Sequence, residues 1–275
     1  MDYFKKLYLE NAAVYQPVLE AGLATAPQEA SGVSAIFEKF GKTSRHENFK
    51  ILDASCGIGR HSINLVKLGY HVVGIDFSPY FVRTARRLAK KAGCQESVEF
   101  VEGDTKSMQK KLEDLNETGF DGIICMDSAF SRATRSEEIN LLRSMYNVAS
   151  KKCVLIIEIA SREHMLKYLR FAKIEYVQRF PHNLERHIRS SYDKKTKRIH
   201  TIWRFMQELP NKNLLHLLTL NLDSRTHSKS DLVSELEASG WSYIRSYGRI
   251  AKLDRFTPDS YHIVMVARKN ERMSI

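Results

Sequence analysis

The segment Ile51-Leu52-Asp53-Ala54-Ser55-Cys56-Gly57-Ile58-Gly59-Arg60-His61-Ser62 decides how the chain is read. It begins as a buried apolar strand, passes through a turn of small residues and becomes a helix. Gly57 and Gly59 let a ligand come within contact distance of the backbone, and the amides at the helix start face it. At the end of the next strand, Asp76 is placed to accept hydrogen bonds from the two hydroxyls of a ribose. Nicotinamide and flavin proteins share these two features, so three details decide between cofactors. A dinucleotide fingerprint calls for a third glycine, and the chain has Arg60, His61 and Ser62 in that register. Asp53, beside the turn, would repel a pyrophosphate but attract a cationic ligand. Asp104, after the third strand, can accept a hydrogen bond from an adenine amine at the carboxyl edge of the sheet.

Working outward, residues 50–160 alternate short apolar runs with amphipathic stretches, the pattern of a parallel sheet with crossover helices. The spacing predicts strands at Lys50–Ala54, His71–Asp76, Val98–Val101, Gly122–Met126 and Cys153–Ile159. Before this core, amphipathic helices are expected at Tyr3–Ala21 and Val33–Phe40, joined by the looser segment 24–32. After it, His187–Tyr192, Arg198–Met206 and Leu214–Leu222 read as antiparallel strands. A helix at Lys229–Ser239 and strands at Trp241–Tyr247 and Tyr261–Ala267 complete the chain. The expected fold is α/β: a Rossmann-like sheet of five parallel strands extended by an antiparallel pair, with helices on both faces and a small antiparallel cap. Its parts are a helical lid (1–46), a ligand-binding core (47–174), an inserted cap (175–228) and a core completion (229–275).

These ordered motifs resemble the class I S-adenosylmethionine-dependent methyltransferases. Leu52–Gly59 is similar to their glycine-rich first motif, Gly74-Ile75-Asp76-Phe77-Ser78 to their ribose motif, and Gly103-Asp104 to their adenine motif. Phe120–Asp127 is similar to the fourth strand, which carries the transfer edge. Ser55 stands where the family usually has its first glycine. The resemblance implies S-adenosyl-L-methionine as cofactor, with Asp53 on the methionine ammonium, Asp76 on the ribose and Asp104 on the adenine amine. It places Phe77 and Met126 against the adenine or the methionine chain, and Ser55, Gly57, Gly59 and Ser78 in the same site. The run Cys56–Leu65 and the inserted cap are similar to the small-molecule branch that includes glycine and sarcosine N-methyltransferases, in many of which a three-stranded cap roofs the acceptor.

Composition narrows the reading further. The 275 residues are 43% hydrophobic and 27% charged, with 13 Gly and 6 Pro, which excludes disordered and collagen-like chains. No apolar run reaches the roughly 18 residues of a membrane span, and Met1–Tyr15 lacks the pattern of a signal peptide, so a cytoplasmic protein is expected. Cys56, Cys94, Cys125 and Cys153 are widely spaced without zinc-type grouping, so no metal site is expected. The net charge of +11 sits in residues 151–275, which hold 24 basic and 13 acidic side chains. That half either faces an anionic partner or is a solvated basic surface.

The expected activity is methyl transfer to nitrogen or oxygen of a small, anionic metabolite, and the alternative is an RNA or protein substrate held by the basic cap. His61, Asp127 and Ser128 are the candidates for catalytic contact. Arg189, Tyr192, His200 and Arg204 are the candidates for binding the acceptor. Alternation along a hairpin means that only about half of the cap's basic run can face the pocket.

Overall fold

The structure, a computed structural model, describes residues 3–41, 48–104, 107–126, 130, 134–169 and 174–269. Helices α1 (Ala12–Glu20) and α2 (Ala26–Ile36) lead into β1 (Lys50–Ala54), α3 (Arg60–Lys67), β2 (His71–Asp76), α4 (Pro79–Lys91) and β3 (Val98–Glu102). Next come α5 (Met108–Asp114), β4 (Phe120–Cys125), α6 (Arg135–Val148), β5 (Ala149–Ala160) and α7 (Arg162–Leu169). The cap strands are β6 (Ile174–Phe180), β7 (Leu184–Asp193), β8 (Arg198–Glu208) and β9 (Leu214–Arg225). The chain closes through α8 (Lys229–Ala238), β10 (Trp241–Arg249), β11 (Asp254–Arg255) and β12 (His262–Lys269).

The main sheet has the order β11-β10-β12-β5-β4-β1-β2-β3. Strands β1 to β5 pair in parallel, whereas β12 runs antiparallel to β5 and to β10. The chain moves outward from β1 through β2 to β3 and returns to β4 on the other side. The order therefore reverses between β1 and β4, and the crevice at their carboxyl ends is where an open α/β sheet binds its ligand.

The central strands are covered on both faces. Leu52, Ile123 and Leu155 pack under Met108, Leu142, Met145, Leu232 and Leu236. Ile51, Ile124 and Ile156 pack under Val33, Ile36, Phe37 and Leu65. In α4 the buried Phe81, Val82, Ala85 and Ala89 recur at helical spacing, and Arg83, Arg86, Arg87 and Lys90 occupy the solvent side.

Three departures from the sequence expectation have physical causes. Segment 24–32 is mostly helical, because Pro27 lies in the first turn of α2, where its missing N–H is no loss. Within that helix position 32 is glycine because a side-chain carbon there would overlap the Ile250 carbonyl oxygen. The cap has four strands instead of three: β6 lies on a sheet edge, and its apolar–polar alternation is broken at Val177 and Gln178. The short β11 extends the main sheet by one further strand beside β10.

Cap and core meet directly through Arg225, which pairs with Glu138 and Glu235, and on the side of the glycine turn they meet through the N-terminal segment. The segment from Tyr3 to Leu19 lies between them in a third apolar cluster. Ile58 and Phe81 from the core join Leu7, Tyr15 and Leu19, and the cap adds Leu184, Phe205, Leu218 and Leu220.

Candidate active site

The first turn of the site is built from left-handed backbone. Ser55, Gly57 and Gly59 have φ of 66°, 55° and 76°. The two glycines serve different ends. A Cβ on Gly59 would stand 2.6 Å from the Phe100 ring, so Gly59 is needed for helix packing. A Cβ on Gly57 would meet only Leu19 Cδ1, at 3.5 Å, so this backbone is open on the side that α1 covers. Ser55 holds the same left-handed conformation with a side chain present, a strain of roughly 1–2 kcal/mol.

Asp76, at the end of β2, ties two elements together. Its Oδ2 accepts from the Gly57 amide and its Oδ1 from the Ser78 amide, both at 2.8 Å. Ser78 spends its hydroxyl on the Tyr8 carbonyl at 2.6 Å and on the N-cap of α4, so it positions the loop and the N-terminal segment. Gly103 donates to the Asp76 carbonyl at 2.9 Å, which brings the half-buried Asp104 to the same edge. Phe77 is half-buried there, and Met126 is buried beyond the end of β4.

Asp53 is only 1% exposed and accepts from Ser62 Oγ at 2.6 Å. Burial pushes its carboxyl up, against the pull of His61, the Ser62 hydrogen bond and Arg60. A buried carboxyl in that condition gains from a cationic group placed beside it.

His61 is buried with Nε2 2.8 Å from Glu29 Oε2, and Arg60 Nη1 binds the same oxygen. Burial alone would raise the Glu29 carboxyl, yet His61 and Arg60 together hold it at about 2. His61, expected as a catalytic candidate, is thus the link that locks α2 onto the first turn of α3. Asp127 and Ser128 lie outside the described residues. Glu29 lies in segment 24–32, which reads as loose in sequence; its one signal there is an acidic residue one turn into a helix opened by proline.

The cap corrects most of the acceptor candidates. Antiparallel register puts Arg186 opposite Phe205, and Arg189 opposite Ile202. Phe205 faces Tyr15 and the core, so Arg186, Ile188, Ser190, Tyr192 and Trp203 share the inner face. Arg189, His200 and Arg204 have the other parity and point away from the core. Arg189 pairs with Glu175 at 3.1 Å and His200 with Asp223 at 3.2 Å. Of the four candidates only Tyr192 has the inner parity, and Arg186 joins it.

The roof is closed by aromatic rings. Tyr8 packs edge-on against Phe81, and Tyr15 lies 6.2 Å from both Trp203 and Phe205. His182, in the turn between β6 and β7, reaches Glu20 of α1 at 2.9 Å.

A second polar group, missed from sequence, lies where the chain returns from cap to core. His227, Glu138 and Glu235 are all buried, with ligand-type atoms within 4.8 Å of one another. Arg225 spans both carboxylates and supplies positive charge between them. Burial, then the Arg225 charge, pulls His227 down to about 3.

With this geometry in place, comparison with known proteins defines the class. The methyltransferase domain family matches residues 45–213, and the chain belongs to it. Its fold is that of the class I methyltransferases. A putative methyltransferase of Bacillus subtilis, YqeM, is 29% identical over 128 residues, covering 45% of this chain and 47% of the relative. Human glycine N-methyltransferase is 26% identical over 136 residues, covering 46% of this chain and 45% of the relative. The chain thus aligns with about half the length of these curated relatives. Among solved structures, an S-adenosylmethionine-dependent methyltransferase from Clostridium acetobutylicum superposes with a TM-score of 0.74 at 12% identity, over 95% of this chain and 98% of that one.

Proposed function

We propose that the chain transfers the methyl group of S-adenosylmethionine to a nitrogen or oxygen of a small, anionic metabolite. The observation that carries this reading is the roof: Leu19 over Gly57, and Tyr8 and Tyr15 joining Phe81 to Trp203 and Phe205. A site enclosed by a helix and a cap suits a small molecule better than a polymer. The basic residues on the cap's outer face are in part neutralised, with Arg189 on Glu175 and Arg198 on Asp223, which weakens the case for RNA.

The residues present fit the cofactor. Gly57 offers open backbone, Asp76 a carboxylate fixed by two amides, and Asp53 a buried carboxyl suited to an ammonium. When bound, S-adenosylmethionine supplies a methyl group already activated by the sulfonium. The work left to this chain is to bind, align and keep water out. Asp53 and Asp76 fix the two ends of the site, α1 and the cap close it, and the inner face of the cap orients the acceptor. His61 gives its Nε2 to Glu29 and His200 faces outward, so neither is aimed to take a proton.

Calorimetric titration with S-adenosylhomocysteine tests the reading. Wild type should bind, and Asp76→Ala should lose about 1.5–3 kcal/mol, roughly 10- to 150-fold in affinity. Folded wild type that fails to bind would overturn it.

A further inference from the structure

Arg186 is a cation in an unusual position. It is 9% exposed, on the inner face of the cap. Its Cζ lies 4.3 Å from the centroid of the Trp203 ring and 5.1 Å from that of Phe180. Gln178, directly opposite on β6, accepts from both Nε and Nη2 through its single Oε1. Among the described residues no carboxylate pairs with Arg186, although Arg189, Arg198 and Arg225 in the same sheet each have one.

Buried charges are normally matched by an opposite charge, and a neutral amide with two rings is an incomplete match. The amide also occupies one edge only. With Nε and one hydrogen of Nη2 spent on Gln178, the hydrogens of Nη1 and the remaining one of Nη2 form an end-on fork. That fork fits the two oxygens of a carboxylate. The rings hold the guanidinium plane while leaving this edge available.

Placement on the sheet agrees. Tyr176 stands on the same inner face, and its hydroxyl is pushed up by burial and by Tyr261 and pulled down by the Arg186 charge. The backbone carbonyl of Tyr261 accepts from the Ser161 amide at 2.8 Å, just beyond the end of β5. Trp203, on which Arg186 stacks, lies parallel to the ring of Tyr15 at 6.2 Å, and Tyr15 belongs to α1, the helix whose Leu19 stands over Gly57.

We propose that Arg186, oriented by Gln178 and stacked on Trp203 and Phe180, binds the carboxylate of the methyl acceptor. This rests on the methyltransferase reading and adds the acceptor's chemical class: an amine or hydroxyl compound that bears a carboxylate.

Trp203 provides the readout. Saturated with S-adenosylhomocysteine at constant ionic strength, wild type is titrated with acetate, phosphate and chloride while tryptophan fluorescence is followed. Acetate should give a saturable change, and phosphate and chloride should not. Arg186→Gln should weaken the acetate response by roughly tenfold or more, and Arg186→Lys by less, since it keeps the charge but loses the fork. Both variants should bind S-adenosylhomocysteine as wild type does. Trp203→Phe should remove the signal, which assigns it to this place rather than to buried Trp241. An equal acetate response in wild type and Arg186→Gln, or none in wild type, overturns the proposal. A saturable phosphate response in place of acetate overturns the carboxylate assignment. Loss of S-adenosylhomocysteine binding by wild type would instead refute the underlying function. Should Arg186→Gln fail to fold, the wild-type and Arg186→Lys titrations still decide.

Discussion

Replacing Glu29 by Gln removes one negative charge from the joint that holds α2 to α3, while keeping the shape of the side chain. The carboxylate serves His61 at 2.8 Å and Arg60 together, and the side chains of Glu29 and Arg60 are only 18% and 11% exposed. Its downward displacement from 4.5 to about 2 corresponds by linkage to roughly 3 kcal/mol at neutral pH. Partial solvent contact reduces the expected loss in Glu29→Gln to about 1–3 kcal/mol. The sign follows from a folded-state pKa below the unfolded one. The contribution is complete above 4.5 and is lost as the pH falls toward 2. Urea unfolding of both proteins, followed by tryptophan fluorescence at about pH 7, 5 and 3, measures the difference. It should stay nearly constant between the first two and fall to less than half by about pH 3. A difference that is absent at neutral pH, or unchanged down to pH 3, refutes the electrostatic account of the joint.

Further substitutions separate packing from ligand contact. Gly57→Ala should cost about 1 kcal/mol of stability for its left-handed backbone yet weaken S-adenosylhomocysteine clearly, because its Cβ points into space shared only with Leu19. Gly59→Ala should lose several times more stability, since its Cβ meets Phe100; thermal melting and titration of the pair check both, and equal behaviour would refute the assignment. Ser55→Gly should be neutral or stabilising by up to about 1 kcal/mol, since relief of the left-handed strain exceeds the entropy cost of glycine; a clear loss on urea unfolding would show that the hydroxyl is needed. His227, drawn from 6.5 to about 3 by burial and the Arg225 charge, stays neutral in the fold while the unfolded chain takes up a proton. Stability should therefore drop by about 2 kcal/mol between about pH 7 and pH 5, and His227→Gln should flatten that limb; an unchanged slope in the variant would count against it.

The core was legible because its strands are buried on both faces and end in carboxylates. Lys50–Ala54 and His71–Asp76 are apolar runs that close on Asp53 and Asp76, and their bounds emerge from sequence as the structure has them. What stayed hidden shares one physical trait: it is determined by a neighbour remote in sequence. Glu29 acquires its meaning from Arg60 and His61, and Gly32 from the carbonyl of Ile250. His227 depends on Glu138, 89 residues away. Strand β6 is specified by its pairing with β7, and its own alternation is broken at Val177 and Gln178.

The cap shows how much hangs on one residue of register. Strand residues alternate faces, so the basic run from Arg186 to Arg204 divides into two sets with opposite fates. Phe205, fully buried against Tyr15, fixes the parity of β8, and its pairing with Arg186 fixes that of β7. Arg189, His200 and Arg204 are thereby sent outward, and the charge that remains inside is Arg186. Composition could not make this division, because every arginine among them counts equally toward the net charge of +11. The anchor for the parity is an apolar contact with α1, not a charged one. The surface that would meet an acceptor is thus chosen by the same aromatic packing that joins α1 to the cap, so changes at Tyr15 should alter the seating of α1 and the acceptor face together.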